Sequence, residues 1–235
     1  TFTEVSMSKK NTAATIATIV VAVLAIATTL FLLYQTSQQQ IQDNQYNYVP
    51  SDEVNEEMNM NAVTLIKNNC EVFRIYLQYG LPHQAEPYNN VPEDGYYTVK
   101  SDNYKTISDV EALVNSTFVE KEAKRILTNI NGDNVAVYAE ETDDDGNKGI
   151  GLDVSMVDEN GRFKAIAYDY TWSNAKFTLH PKSNTECDII VELNPAEETS
   201  SAENASSGSD DSNKKKVTAN MLKVNGEWRL QKLVY

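Results

Sequence analysis

The chain is short of the residues that build metal centres and covalent frameworks. Among 235 residues there are two His and two Cys. Both a structural zinc cluster and a disulfide scaffold need more such residues at close spacing, so neither class fits. Positive charge is also scarce. Twenty Lys and Arg stand against 34 Asp and Glu, a formal net charge of -14. A nucleic-acid binder must neutralise a row of phosphates, and this chain has no surplus of cations to do it. No residue set marks an enzyme, a cofactor site or a metal site. Hydrophobic residues, at 41%, suffice for one packed domain with appendages.

Charge is missing altogether from Thr12 to Tyr34, and Ile16 to Leu33 is mostly Ile, Val, Leu, Ala and Phe. A run of that length spans a hydrocarbon layer of about 30 Å as a helix. Lys9 and Lys10 precede it and the next charge is Asp43, so the positive-inside rule puts the N-terminus in the cytoplasm and the rest outside. The alternative is a cleaved signal peptide with Ala25-Ile26-Ala27 as its cleavage site. Thr29 to Tyr34 continues the apolar run past that site and favours an uncleaved anchor. No Cys follows closely, which excludes a lipoprotein anchor, and Met7 before Ser8-Lys9-Lys10 looks like a start residue. The expected organisation is a cytoplasmic tail at 1–11, a transmembrane helix at 12–34, a polar stalk at 35–56 and an extracytoplasmic domain at 57–235. Beyond the anchor the chain carries 33 acids and 18 bases, a net charge of -15. Such a domain repels anionic envelope polymers and attracts basic proteins.

Within the domain, Met58, Ala62, Leu65, Ile66, Val72, Phe73, Tyr76 and Leu77 recur at helical spacing and predict a helix over 57–79, stopped by Gly80 and Pro82. The Pro-rich stretch 81–95 reads as a loop and Gly95 to Val99 as a short strand. Ser108-Asp109-Val110-Glu111 and Thr117-Phe118-Val119-Glu120 both fit capping boxes, predicting helices at 108–114 and 118–129. Strands are expected at 135–140, 150–157, 162–172, 176–180 and 187–193, with a turn at Asp158 to Gly161. Two more, at 217–224 and 227–235, flank Asn225-Gly226, the strongest short hairpin signal. The Ser- and acid-rich segment 195–216 reads as an insertion in a hairpin. The predicted class is α+β: a transmembrane helix, then a long helix covering one face of a curved antiparallel meander, a cystatin-like cone.

The loop from Glu140 to Gly149 holds five acids in six positions: Glu140, Glu141, Asp143, Asp144 and Asp145. With Asn147 these are the candidate partner-binding residues, an acidic finger aimed at a basic cleft. A calcium loop is a second reading, but Lys148 occupies the Gly position of an EF-hand and the twelfth-position Glu is missing. A solvated hairpin loop is the third. Cys70, on the first helix, and Cys187, opening a strand, could form a disulfide in an oxidising compartment or remain buried thiols. Neither His83 nor His180 has a spacing that would activate a Cys, so a thiol enzyme is disfavoured. Tyr76, Tyr79, Tyr88, Tyr96, Tyr97 and Tyr104 cluster in sequence around the Pro-rich loop, as a recognition surface or as a half-buried rim of the core.

The run Tyr96 to Val99, then Tyr104 to Leu113, Thr117-Phe118-Val119, Ala123 and Leu127 resembles the IseA-type DL-endopeptidase inhibitors of Gram-positive bacteria. Val135 to Tyr138 and the acidic loop Asp143 to Gly149 occupy matching places, so the resemblance covers roughly residues 60–170. It implies a cystatin-like domain that inhibits a cell-wall hydrolase by inserting an acidic loop into a basic active-site cleft. The retained anchor and the insertion at 195–216 depart from that pattern. The expected partner is a basic extracytoplasmic protein, a cell-wall hydrolase on the resemblance, and the expected location is the cell membrane. The rivals are a non-catalytic scaffold in an envelope complex and an enzyme using a cavity in the cone.

Overall fold

A computed structural model describes residues 48–83, 95–142, 146–196 and 214–235. The expected transmembrane helix at 12–34 and most of the stalk lie outside them. Among the described residues no helix is long and apolar enough to cross a membrane.

Helix α1 runs Asp52–Phe73. Ser51 caps it by accepting from the Val54 N–H, and Asp52 and Glu53 sit in the first turn, where carboxylates meet the positive end of the helix dipole. Residues 52–56 are therefore helix, where the stalk was expected. The apolar stripe forecast from sequence is buried, from Met58 through Val72 and Phe73. The helix then widens into a π turn, Arg74–Gln78, where the Tyr79 N–H reaches back to the Arg74 carbonyl at 2.8 Å. Gly80 ends it at φ 69°, a conformation that suits glycine. A Cβ there would also lie 2.5 Å from the Phe163 ring.

A short strand β1, Tyr96–Thr98, precedes two helices, α2 at Ile107–Thr117 and α3 at Glu120–Asn129. The first expected capping box is displaced and the second is absent, since Val119 precedes α3 without a side-chain cap. Thr106 caps α2, and the Asp109 carboxylate accepts from the Thr106 and Lys105 N–H groups at 2.8 Å each. Thr117 closes α2 instead of opening α3. The cause is Phe118, which is extended, 1% exposed, and bridged to Leu230, while the Val119 N–H donates to the Leu230 carbonyl. Burying that ring delays the second helix to Glu120.

The remaining elements are strands β2 (Tyr138–Thr142), β3 (Lys148–Asp153), β4 (Tyr170–Ser183), β5 (Glu186–Pro195), β6 (Lys215–Val224) and β7 (Glu227–Leu230). They form two antiparallel sheets, ordered β1-β3-β2 and β4-β5-β6-β7, rather than one meander. The expected strand at 162–172 is mostly irregular, because its backbone bonds elsewhere. Lys164 N–H goes to Met156 and Ile166 N–H to Leu77, at the end of α1. The expected strand at 176–180 is absorbed into β4. The expected Asn225-Gly226 hairpin is present, with both residues at positive φ (53° and 88°) between β6 and β7. Strands β5 and β6, on either side of segment 195–216, pair with each other, and residues 197–213 lie outside the described set.

On β5, Cys187, Ile189, Val191 and Leu193 face the core, joined by Ala219 and Met221 of β6 and Trp228 and Leu230 of β7. These residues and the buried stripe of α1 belong to one hydrophobic cluster, so that sheet face is filled. The chain is thus α+β, with a curled antiparallel sheet and helices on it. Polar links pin α1, at two residues, and α3, at one, to the C-terminal part of the fold. Glu57 accepts from Lys223 Nζ at 2.6 Å and from Trp228 Nε1 at 2.9 Å. Asn69, fully buried, donates to the Val234 carbonyl at 2.8 Å and accepts from the Val234 N–H at 3.0 Å. One residue earlier, Glu122 of α3 accepts from the Leu233 N–H at 2.9 Å.

Candidate functional site

The acidic residues picked out in the sequence lie on and around the β2–β3 hairpin. Asp143, Asp144 and Asp145 fall outside the described residues. Glu140 and Glu141 are on β2 and each has a partner. The Lys148 ammonium meets Glu140 Oε1 at 2.8 Å across the hairpin, and the Thr98 hydroxyl donates to Glu141 Oε1 at 3.0 Å. The Glu140–Lys148 pair is exposed on both sides, so it contributes little to stability and leaves both charges accessible. Asn147 is exposed beside it.

Strand β2 is the outer strand of its sheet. The Asp153 N–H donates to the Val137 carbonyl, which makes Val137 opposite Asp153 a hydrogen-bonded pair. Backbone direction alternates along an antiparallel ladder, so Ala139 and Glu141 also face β3, and Tyr138, Glu140 and Thr142 direct their N–H and C=O groups away from it. The Ile150 carbonyl, opposite Glu140, accordingly bonds the Val99 N–H on the other side of β3.

Beside this edge lies an open groove of about 490 Å³ between β2 and the helices α2 and α3. Its apolar lining is Ile107, Leu127, Ala136, Tyr138 and Ala139. Glu111, Glu120 and Glu140 stand around it, with Lys124 as the one cation among the described lining residues. The groove floor is held by Tyr138, whose hydroxyl donates to the Ile75 carbonyl at 2.6 Å and accepts from the Leu81 N–H at 2.8 Å. Burial pushes its ionisation well above the usual tyrosine value. With both hydrogen-bonding roles used, this phenol is a strut between the sheet and the π turn.

Of the two readings for Cys70 and Cys187, a possible disulfide or two thiols, the fold contains two free thiols. Cys187 is fully buried between Pro181 of β4 and Met221 of β6, and Cys70 is half-buried on α1. Burial pushes Cys70 up to about 12 and Cys187 up to about 11. Both stay protonated at neutral pH, the opposite of a reactive cysteine. The two ring nitrogens of His83 each lie 3.1 Å from a backbone carbonyl, of Leu81 and of Gly161, and whichever carries the proton donates to its neighbour. Among the described residues no group of three or more His, Cys, Asp or Glu could hold a metal ion.

The six tyrosines picked out together do not form one surface. Tyr76 is core, packed edge-on against Tyr138, and Tyr104 donates its hydroxyl to Glu71. Tyr96 and Tyr97 are half-buried on β1, Tyr79 is 64% exposed, and Tyr88 lies outside the described residues. What sequence reasoning missed is a second aromatic group, Tyr168, Tyr170 and Trp172, whose every-other-residue spacing was its only signal. No family model and no curated protein matches this chain.

Proposed function

We propose that the chain is a membrane-anchored extracytoplasmic binding domain of cystatin-like form that captures a basic protein and performs no chemistry itself. The observation that carries this reading is the acid-rimmed apolar groove along the free edge of β2, next to the acidic hairpin. An edge strand offers unpaired backbone groups to an extended segment, the groove takes apolar side chains, and Glu111, Glu120 and Glu140 select positive charge. The run 143–145, between β2 and β3 in the chain, adds three carboxylates, which would steer a cationic partner and make association sensitive to salt. A peptidoglycan hydrolase with a basic cleft is the partner the resemblance to IseA-type inhibitors suggests, and the apolar run at 12–34 would hold the domain beside such enzymes.

The filled inner face of the β4–β7 sheet also supports a binding role, because it leaves little room there for a substrate. It equally suits the second reading, a scaffold in an envelope complex that uses an apolar surface. The full chain, captured against a panel of cell-wall hydrolases at low and high salt, separates the two. Inhibitory binding that weakens with salt, and that is lost when Asp143, Asp144 and Asp145 become Asn, is expected. Inhibition that survives those three changes would sink the acidic-hairpin reading, and a salt-insensitive complex would favour the scaffold.

A further inference from the structure

A second cleft, built without the acidic hairpin, lies at the far end of β4. It has a volume of about 660 Å³, within the usual range for ligand sites of ~300–1,000 Å³. Tyr79, Tyr168 and Tyr170 supply aromatic rings. The amides of Gln78, Asn174 and Asn194 and the hydroxyls of Thr171 and Ser173 supply the polar lining. Among the described residues that line it there is no carboxylate, ammonium or guanidinium, and the nearby Lys215 ammonium is engaged with the Tyr235 carbonyl at 3.2 Å.

Two local irregularities build this cleft. The π turn ending α1 displaces Gln78 and Tyr79 from the regular helical path and leaves Tyr79 64% exposed. On β4 the pairing with β5 slips between Thr171 and Lys176, and Asn174 takes a left-handed backbone at φ 57°. Bulges of this kind re-aim side chains, and Asn tolerates the conformation better than most residues. The bulge is braced: the Ser173 N–H donates to the Thr171 hydroxyl at 3.1 Å, and the Asn194 amide donates to the Ser173 carbonyl at 3.2 Å. Tyr168 is held from behind by Phe73 at 4.9 Å between ring centroids, and Lys215 Nζ lies 5.1 Å from the Tyr168 ring and 5.2 Å from that of Tyr170. Among the described residues the Tyr168 hydroxyl, on the cleft wall, and Trp172 Nε1, on the bulge, are shielded from solvent and have no hydrogen-bond partner. Unsatisfied buried donors are uncommon and call for an explanation.

From this geometry we infer that the cleft is a binding site for a neutral oligosaccharide. A pyranose has an apolar C–H face that lies on an aromatic ring, and a rim of hydroxyls that both donate and accept. Amides and hydroxyls match that dual role, whereas carboxylates only accept and ammonium groups only donate. The described lining is amide, hydroxyl and aromatic, and Lys215 is already engaged with the Tyr168 and Tyr170 rings and the Tyr235 carbonyl, which favours a neutral ligand over phosphates, uronic acids and charged peptides. Tyr79 and Tyr170 are the stacking platforms, and Asn174 and Asn194 read the hydroxyls.

The test uses the full chain in a detergent without a sugar head group, titrated calorimetrically with cellohexaose, chitohexaose and maltohexaose. Saturable binding of at least one is expected, with Tyr79→Ala and Tyr170→Ala each weakening it about tenfold or more. Asn174→Gly, which keeps the backbone conformation and removes the amide, should weaken it several-fold. Tyr79 is exposed enough for its loss to leave the fold intact, and a melting curve checks that. The inference is overturned if none of the three sugars binds at millimolar concentration, if Tyr79→Ala folds and binds like the parent, or if a proline-rich peptide occupies the cleft while the sugars do not.

Discussion

Replacing Asn69 by Ala tests how α1 and the C-terminal segment are joined. The side chain is fully buried, and its amide makes both a donor and an acceptor bond to Val234, at 2.8 and 3.0 Å. Alanine removes both and leaves a backbone N–H and a C=O without partners. Each orphaned buried group costs ~1–3 kcal/mol. Val234 is only half-buried, so water relieves part of that, and the pair should cost about 2–4 kcal/mol. At ~2–4 °C per kcal/mol for a domain of this size, the melting temperature should fall by roughly 5–15 °C. Urea unfolding should show the midpoint moving with the slope unchanged. Glu122 holds the neighbouring Leu233 N–H, so Glu122→Ala, which removes the acceptor, and Asn69→Ala act on one segment and should be non-additive by ~0.5–3 kcal/mol. A loss below about 0.5 kcal/mol for Asn69→Ala, or strict additivity of the two changes, would refute the view that these bonds form one clamp.

Gly80→Ala forces a Cβ into a positive-φ position 2.5 Å from the Phe163 ring, and should destabilise by about 2–4 kcal/mol, partly rescued by Phe163→Ala; denaturant midpoints of the single and double variants check this. Acid sensitivity should come from three carboxyls held below their usual 4.5. Hydrogen bonds from Arg74 do this for Glu71 and from Lys223 for Glu57; at Glu122 burial opposes the shift, but Arg125 and the Leu233 N–H outweigh it. With folded values depressed, the unfolded chain binds more protons, so their stabilisation is complete above 4.5 and fades as pH falls through the folded values. Urea midpoints should therefore be lost below pH 4.5, and less steeply in Glu71→Gln; equal steepness would refute the assignment. Both thiols should react with iodoacetamide at pH 8 on the order of a hundredfold or more slower in the folded chain than in guanidinium, because burial keeps Cys70 and Cys187 protonated; mass spectrometry of timed samples gives the rates.

Where local physics is decisive, the sequence was readable. Asn225-Gly226 needs two positive φ values and has residues that accept them, and the stripe from Met58 to Phe73 needs one buried face and has it. Where a long-range contact outweighs local preference, it was not. Phe118 looks like a helix start until the core claims its ring. Residues 162–169 have strand propensity, but their backbone bonds go to Leu77 and Met156. At the candidate site, the acids of the hairpin were visible as composition, while the pairing of Glu140 with Lys148 and of Glu141 with Thr98 depends on strand register. The tyrosine cleft was hidden because its residues come from three places in the chain, brought together by a π turn and a bulge that no periodicity announces.

The Asn69–Val234 clasp closes a loop of 165 residues. Loops of that length close late, because chain entropy must be spent before any contact rewards it. During synthesis α1 emerges with its apolar stripe and the Asn69 amide exposed; the elements that follow cover the stripe, but the amide finds its partner only when Val234 is made. The amide of that helix is therefore among the last groups in the fold to be satisfied.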